Sequence, residues 1–153
     1  MNITQATIQE AIEEIKRGKM MILLDQKREK EADFYIPTDK LTIEQLNTMV
    51  TLGKGLVCEA VTQNQAHQVA LPLMVEPVDN EEKTGVNFTV SVDAKTGTST
   101  GVSVADRFKT IKVLADPSSK PDDLLKPGHI LGLVANNDGV LARAGHTEAA
   151  VDL

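Results

Sequence analysis

Residues 139–153 read GVLARAGHTEAAVDL. The centre, Arg143-Ala144-Gly145-His146-Thr147-Glu148, puts a fork-shaped cation, a metal-capable imidazole, a hydroxyl and a carboxylate within six positions. Gly145 stands where a loop turns into a helix, with His146 or Thr147 as the opening residue and Ala149, Ala150 and Val151 as its apolar continuation. A helix opening carries free N–H groups and the positive end of the dipole, which suits a phosphate. Arg143 adds a bidentate grip for the same anion.

Upstream of this stretch, Asn136-Asn137-Asp138-Gly139 is a turn signal. The apolar run 130–134 before it is a strand, introduced by Pro127-Gly128-His129. On spacing alone His129 reads as a structural histidine at a turn. Further back, residues 95–103 read KTGTSTGVS and lead into a helical pattern through Asp106, Phe108, Ile111 and Leu114. Ser103 and Asp106 have the spacing of a capping box. A loop of glycines and hydroxyls before a helix is a second candidate phosphate cradle, although such loops are most often only turns and the Gly-Lys-Ser/Thr signature is absent. Residues 88–92 alternate in polarity and read as a strand with one buried face. The polar stretch 76–85 is the best candidate for a mobile loop.

Near the N-terminus, Ile8, Ala11, Ile12 and Ile15 recur at helical spacing, with Thr4 as N-cap and Gly18 as stop. The apolar run 20–24 has strand length and reads as buried on both faces. The charge run 25–33, DQKREKEAD, follows it directly. A charge run is usually a solvated loop, but this one leaves the carboxyl end of a strand, where α/β folds often place ligands. Glu29, Glu31 and Asp33 alternate, so an extended segment aims all three one way. Three such carboxylates repel unless a cation sits among them, and oxygen ligands favour Mg²⁺ or Mn²⁺ over zinc. Thr42 with Gln45, and Thr62, open two further helices. A buried strand lies over 56–60, and His67 reads as a surface residue.

Composition bounds the rest. The 153 residues amount to about one domain, 41% hydrophobic but only 3% aromatic, so the core must be aliphatic. A net charge of -6 argues against non-specific nucleic-acid binding. The single cysteine, Cys58, forms no intrachain disulfide, and no apolar stretch is long enough to span a bilayer, so a cytoplasmic protein is expected.

Several segments together resemble one family. They are Arg28-Glu29 with Glu31 and Asp33, FTVSVDA (88–94), TGTSTGVSVADR (96–107), KPGHI (126–130) and DGVLARAGHTEAAVDL (138–153). In order and spacing these look like 3,4-dihydroxy-2-butanone 4-phosphate synthase, from riboflavin biosynthesis. The resemblance implies a single α+β domain of three layers, a mixed sheet with helices on both faces. It implies a Mg²⁺-dependent (or Mn²⁺-dependent) lyase that converts D-ribulose 5-phosphate to formate and the four-carbon phosphate, working as a homodimer with active sites near the interface. Carried over, Glu29 and His146 are the metal ligands. Arg28, Asp33, Thr100, Ser103, Arg143, Gly145 and Thr147 contact the substrate. Asp33, Glu31 and His129 are the proton-moving candidates, His129 as an essential histidine.

The chain also departs from the family pattern. The family loop Asp-Asp-x-x-Arg-Glu-Asn-Glu-Gly-Asp appears one residue shorter, with Lys30 for Asn and Ala32 for Gly. If that glycine needs positive φ, Ala32 strains the loop. After Gly128-His129, the family's Val-Phe-Pro-Leu is Ile130-Leu131-Gly132-Leu133. Family members continue for some tens of residues past Leu153, with another strand, another helix and a catalytic glutamate, so residues 1–153 are expected to be the synthase-like domain without that segment. These departures keep two other readings open: a non-catalytic relative that binds a sugar phosphate or a partner without turnover, and a lyase or isomerase for another sugar phosphate.

Overall fold

The computed structural model describes residues 5–153. Helix α1 (Ile8–Lys16) is opened by a capping box between Thr7 and Glu10. The expected cap, Thr4, lies outside the described residues. Gly18, at φ +75°, ends the helix as its freedom from a Cβ allows.

Strands β1 (Met21–Asp25) and β2 (Glu31–Tyr35) form an antiparallel hairpin that is a sheet of its own. The expectation that 20–24 is buried on both faces is therefore corrected. Ile22 is 63% and Leu24 47% exposed, because a two-stranded ribbon covers only one face of each strand.

The main sheet has the order β3–β5–β4 and is mixed. Strand β3 (Cys58–Val61) runs parallel to β5 (Leu124–Val134), and β4 (Asn87–Ala94) runs antiparallel to it. Strand β5 begins six residues earlier than the apolar run suggested and carries Pro127-Gly128-His129 within it, after a cis Lys126–Pro127 bond. Gly128 makes this continuation possible. A Cβ there would lie 2.0 Å from the Val92 carbonyl carbon, at the register shift between Val92 and Asp93.

Helices α2 (Ile43–Thr48) and α3 (Gln63–Gln68) open at Thr42 and Thr62 as expected, and Gln65 completes a capping box with Thr62 as Gln45 does with Thr42. Helix α4 (Val104–Ala115) packs on all three strands of the main sheet. Leu46, Val61, Val69, Val92, Leu114 and Ile130, each 1% exposed or less, are the centre of an aliphatic core shared by α2, α3, α4 and the sheet. Short helix α5 (Gly139–Ala142) packs against α6 (His146–Asp152), and α6 against β3. The result is the α+β fold expected. No helix among the described residues is long and apolar enough to cross a membrane.

Glu59, on β3, bears on stability. Its carboxyl accepts from the Thr38 hydroxyl at 2.7 Å, and desolvation pushes its pKa up to about 7 against the opposing pull of Thr38 and Lys112. The folded chain thus holds this proton more tightly than the unfolded chain. Its contribution is complete below the ordinary carboxylate range and is lost as pH rises through about 7. Glu59→Gln is expected to leave thermal stability at pH 5 nearly unchanged and to raise it at pH 8, by at most about 3 kcal/mol. Thermal melts of both proteins at the two pH values check this.

Candidate active site

The turn between β1 and β2 is built by Asp25. Its carboxylate accepts from the backbone N–H groups of Lys27 (2.7 Å), Arg28 (3.0 Å) and Glu29 (3.0 Å). Those bonds, that of Glu29 foremost, hold its pKa down at about 2. Lys30 then adopts φ +57°. This left-handed residue breaks the alternation expected for Glu29, Glu31 and Asp33. Glu29 stays in the turn, while Glu31 and Asp33 belong to β2. The strain expected at Ala32 falls on Lys30 instead: Ala32 lies in regular strand opposite Leu24. A non-glycine residue in this region costs about 1–2 kcal/mol.

Glu29 and His146, 117 positions apart, meet. The His146 backbone N–H donates to Glu29 Oε2 at 3.2 Å, and the other oxygen, Oε1, accepts from Arg143 Nη2 at 2.8 Å. The anion expected at the start of α6 is thus Glu29 itself, seated where the helix offers a free N–H. His146 Nδ1 lies 2.7 Å from Asp33 Oδ2. A proton on Nδ1, donated to Asp33, leaves the lone pair on Nε2. That atom is buried and has no hydrogen-bond partner among the described residues. Glu31 is exposed and makes no side-chain hydrogen bond among the described residues, but lines the same cavity as Glu29, Asp33 and His146.

Arg143 locks this corner. Nη1 donates to Glu148 Oε2 (2.6 Å), Nη2 to Glu29 and to the Thr84 hydroxyl (3.2 Å), and Nε to the Thr84 carbonyl (3.1 Å). Four of the five guanidinium N–H groups are thus taken up within the protein, which leaves little of the fork for an anion. Glu148 is 2% exposed and also accepts from the Asn136 N–H. Gly145 permits the arrangement: a Cβ there would lie 1.9 Å from Arg143 Nη1. Thr147 is buried on the first turn of α6. Arg28 donates to the carbonyls of Thr84 (2.7 Å) and Ala144 (3.4 Å) and forms no ion pair among the described residues. The polar loop expected to be mobile is therefore tied to both arginines through Thr84.

A second group lies apart. His129 Nδ1 is 2.8 Å from Asp93 Oδ2, and the His129 backbone N–H donates to Asp93 Oδ1 at 3.0 Å. Beside them, the hydroxyl loop before α4 is knit by its own acid. Asp106 Oδ2 accepts from the Ser99 hydroxyl (2.7 Å) and the Gly101 N–H (3.1 Å), and the Asp106 N–H donates to Ser103, the N-cap. Asp106 thus completes only half of the expected capping box. Thr100 and Ser103 are exposed. No hydrogen bond among the described residues joins this group to the Glu29–His146 group, and His129, Thr100 and Ser103 do not line that group's cavity. Thr84, Asp93 and Glu148 were not singled out from sequence as site residues. The one available signal was the position of Asp93 and Glu148 inside the quoted segments.

The cavity beside Glu29 and His146 measures about 950 Å³ and takes in Cys58, whose thiol is pushed up to about 11 by burial and then by the Asp33 charge. Glu29 Oε2 lies 3.6 Å from His146 Nδ1, the ring nitrogen turned to Asp33, while the far nitrogen Nε2 is buried with no hydrogen-bond partner among the described residues. A carboxylate and an imidazole on one residue pair can together serve a divalent cation. Among the described residues no three His, Cys, Asp or Glu side chains are grouped to enclose a metal. A cation here would therefore keep most positions for water and substrate, as Mg²⁺ usually does. Asp33 on Nδ1 is the outer partner that orients such a ligand histidine.

Comparison with known proteins identifies the family. The family profile for 3,4-dihydroxy-2-butanone 4-phosphate synthase matches residues 9–153. The chain is 50% identical over 149 residues to the monofunctional riboflavin biosynthesis protein RIBA 2, chloroplastic, of Arabidopsis thaliana, covering 97% of this chain and 31% of that protein. It is 47% identical over 152 residues to the 3,4-dihydroxy-2-butanone 4-phosphate synthase of Agrobacterium fabrum, covering 99% of this chain and 70% of that one. A crystal structure of 3,4-dihydroxy-2-butanone 4-phosphate synthase in complex with two magnesium ions superposes with a TM-score of 0.91 at 39% identity, over 97% of this chain and 68% of the other. The chain spans under a third of the plant relative and about two thirds of the bacterial one. With the match running from residue 9 to Leu153, the chain belongs to the 3,4-dihydroxy-2-butanone 4-phosphate synthase family.

Proposed function

We propose that the chain carries the lyase activity of its family, converting D-ribulose 5-phosphate to 3,4-dihydroxy-2-butanone 4-phosphate and formate. One observation carries this reading: Glu29 and His146 converge from opposite ends of the chain, with a buried imidazole nitrogen left unpartnered. Glu29 and the His146 imidazole would hold Mg²⁺, or Mn²⁺ in its place. When bound, that ion acts as a Lewis acid on substrate oxygens and stabilises negative charge next to the carbonyl. The atoms of the substrate equal those of the two products, so no redox partner is required.

The chain's own residues do the rest. Asp33 holds the His146 ring and meets a sugar hydroxyl. Arg143 fixes the Glu29 carboxylate by a short charge-assisted bond, so the ligand is oriented before the cation arrives. Arg28, paired with no carboxylate among the described residues, is available for the phosphate. Gly145 and Thr147 shape the floor beneath it. The phosphate is a handle whose binding energy positions the reacting end. Glu31 and His129 carry accessible proton-accepting atoms and are the bases for removal of the proton beside the carbonyl.

His129, Thr100 and Ser103 lie outside the cavity of Glu29 and His146. The reading therefore includes a homodimer, in which one copy supplies the metal-ligand group and the other the histidine and hydroxyl loop. Val102 and Leu125, 55% and 47% exposed, flank the His129 group and would be covered by such contact. The single cysteine and the sugar phosphate substrate fit a cytoplasmic enzyme.

Incubation with ribulose 5-phosphate and Mg²⁺ tests the reading. Formate and the four-carbon phosphate are expected in equal amounts, and chelation should stop their release. Binding of ribulose 5-phosphate without formate would assign the chain to a non-catalytic role. Consumption without formate would point to another sugar-phosphate reaction.

A further inference from the structure

We propose that Asp93 is the positioning residue for His129, fixing its ring in the tautomer that presents Nε2 as a base. The inference rests on the reading above only for what His129 does in the reaction; the positioning itself stands on geometry. The two oxygens of one carboxylate hold two parts of one residue. Oδ1 accepts from the His129 backbone N–H at 3.0 Å, and Oδ2 lies 2.8 Å from ring Nδ1. The first bond fixes where the chain places the residue and the second fixes the ring about its side-chain torsions. A carboxylate only accepts, so Nδ1 must carry the proton, and in the neutral ring the lone pair falls on Nε2. The Asp93 side chain is 10% exposed and that of His129 is 41% exposed. The anchor is therefore sheltered while the ring reaches solvent.

Three segments are shaped to make this contact. At the end of β4, the register shift at Asp93 turns its carboxylate toward β5. Gly128, just before the histidine, lets β5 lie against the Val92–Asp93 backbone, where any side chain would collide. Gly101, at φ +85°, brings the hydroxyl loop onto the same carboxylate: a Cβ there would lie 2.0 Å from Asp93 Oδ2. Asp93 is thus the junction at which the Thr100–Ser103 loop and His129 share one support. The arrangement has the logic of an acid that orients a general base without itself exchanging a proton. No ion pair links Asp93 to any lysine or arginine among the described residues, so the imidazole is its one titratable partner there.

The test is the ¹⁵N signature of the His129 ring at pH 9, where a histidine ring is neutral, assigned by its disappearance in His129→Gln. In the unmodified protein His129 is expected as the Nδ1–H tautomer. In Asp93→Asn it is expected to move mainly to Nε2–H, and Asp93→Glu is expected to restore part of the Nδ1–H form. In the formate assay Asp93→Asn is expected to lower kcat by about 100-fold with KM within about threefold, and to add almost nothing on a His129→Gln background. An Nε2–H ring in the unmodified protein overturns the proposal outright, even if Asp93→Asn cannot be folded. An unchanged tautomer in Asp93→Asn, or additive losses in the double variant, does the same. Absence of formate release by the unmodified protein would sink the lyase reading but leave the tautomer result to decide the role of Asp93.

Discussion

His146→Ala is expected to reduce formate release from ribulose 5-phosphate by about 10³-fold or more while leaving the fold intact. The size follows from what the imidazole supplies. Loss of a ligand that holds a Lewis acid forfeits several kcal/mol of transition-state charge stabilisation, and each 1.36 kcal/mol is tenfold in rate. The fold should survive because, among the described residues, Nε2 bonds nothing and Nδ1 bonds only Asp33, whose side chain is 55% exposed. The bond from the residue 146 backbone to Glu29 remains available to alanine. His67→Ala, at an exposed position on α3, is the matched control and should keep full activity. Formate yield and far-ultraviolet circular dichroism, measured on the same samples, separate loss of chemistry from loss of structure.

Arg143→Met is expected to destabilise the chain by about 3–5 kcal/mol, the range seen when one partner of a buried ion pair is removed. The side chains of Glu29 and Glu148 are 7% and 3% exposed, and Arg143 is the only lysine or arginine paired with either among the described residues. Its loss leaves two desolvated carboxylates facing each other across a gap. Arg143→Lys should recover only part of the loss, since a single ammonium cannot replace a fork that bonds Glu148, Glu29 and Thr84 through three nitrogens. Gly145→Ala should reproduce the defect without touching any charge, because its Cβ would collide with Nη1. Equilibrium urea unfolding of the three variants gives the order. A loss below about 1 kcal/mol for Arg143→Met would mean that the pair behaves as a surface salt bridge.

The parts of the site that follow from residue type were readable in the chain. Glu29 and His146 announced themselves as a hard carboxylate and an imidazole in segments flanked by strand and helix signals, and the structure brings them together. The helix starts at Thr42, Thr62 and Ser103 were legible because capping is local chemistry. What depends on long-range approach was not. Arg143 was read as a grip for a ligand, yet it binds Glu29 across 114 positions, a pairing that leaves no periodic trace. Likewise, nothing local to residues 20–24 reveals that the strand belongs to a hairpin outside the main sheet, so its exposed face was missed. Lys30 shows the same limit on a smaller scale. Its left-handed backbone is imposed by the Asp25-knit turn, and it displaced both the predicted strain and the predicted alternation of the three acids.

The two groups of polar residues also explain why His129 looked structural on spacing. Its anchor, Asp93, lies 36 positions away on β4, and only the register of β4 against β5 joins them. A histidine at a turn becomes a candidate base once a carboxylate is found behind it.

The central claim is that two distant segments form one cation site through Glu29 and the Nε2 atom of His146. Pulsed electron paramagnetic resonance with Mn²⁺ in place of Mg²⁺ tests it most directly. The unmodified protein should bind Mn²⁺ with a ¹⁴N modulation from one directly coordinated imidazole; His146→Ala should abolish that modulation, and Glu29→Gln should weaken binding itself. Tight Mn²⁺ binding with no imidazole modulation, or with a modulation that persists in His146→Ala, would contradict the account.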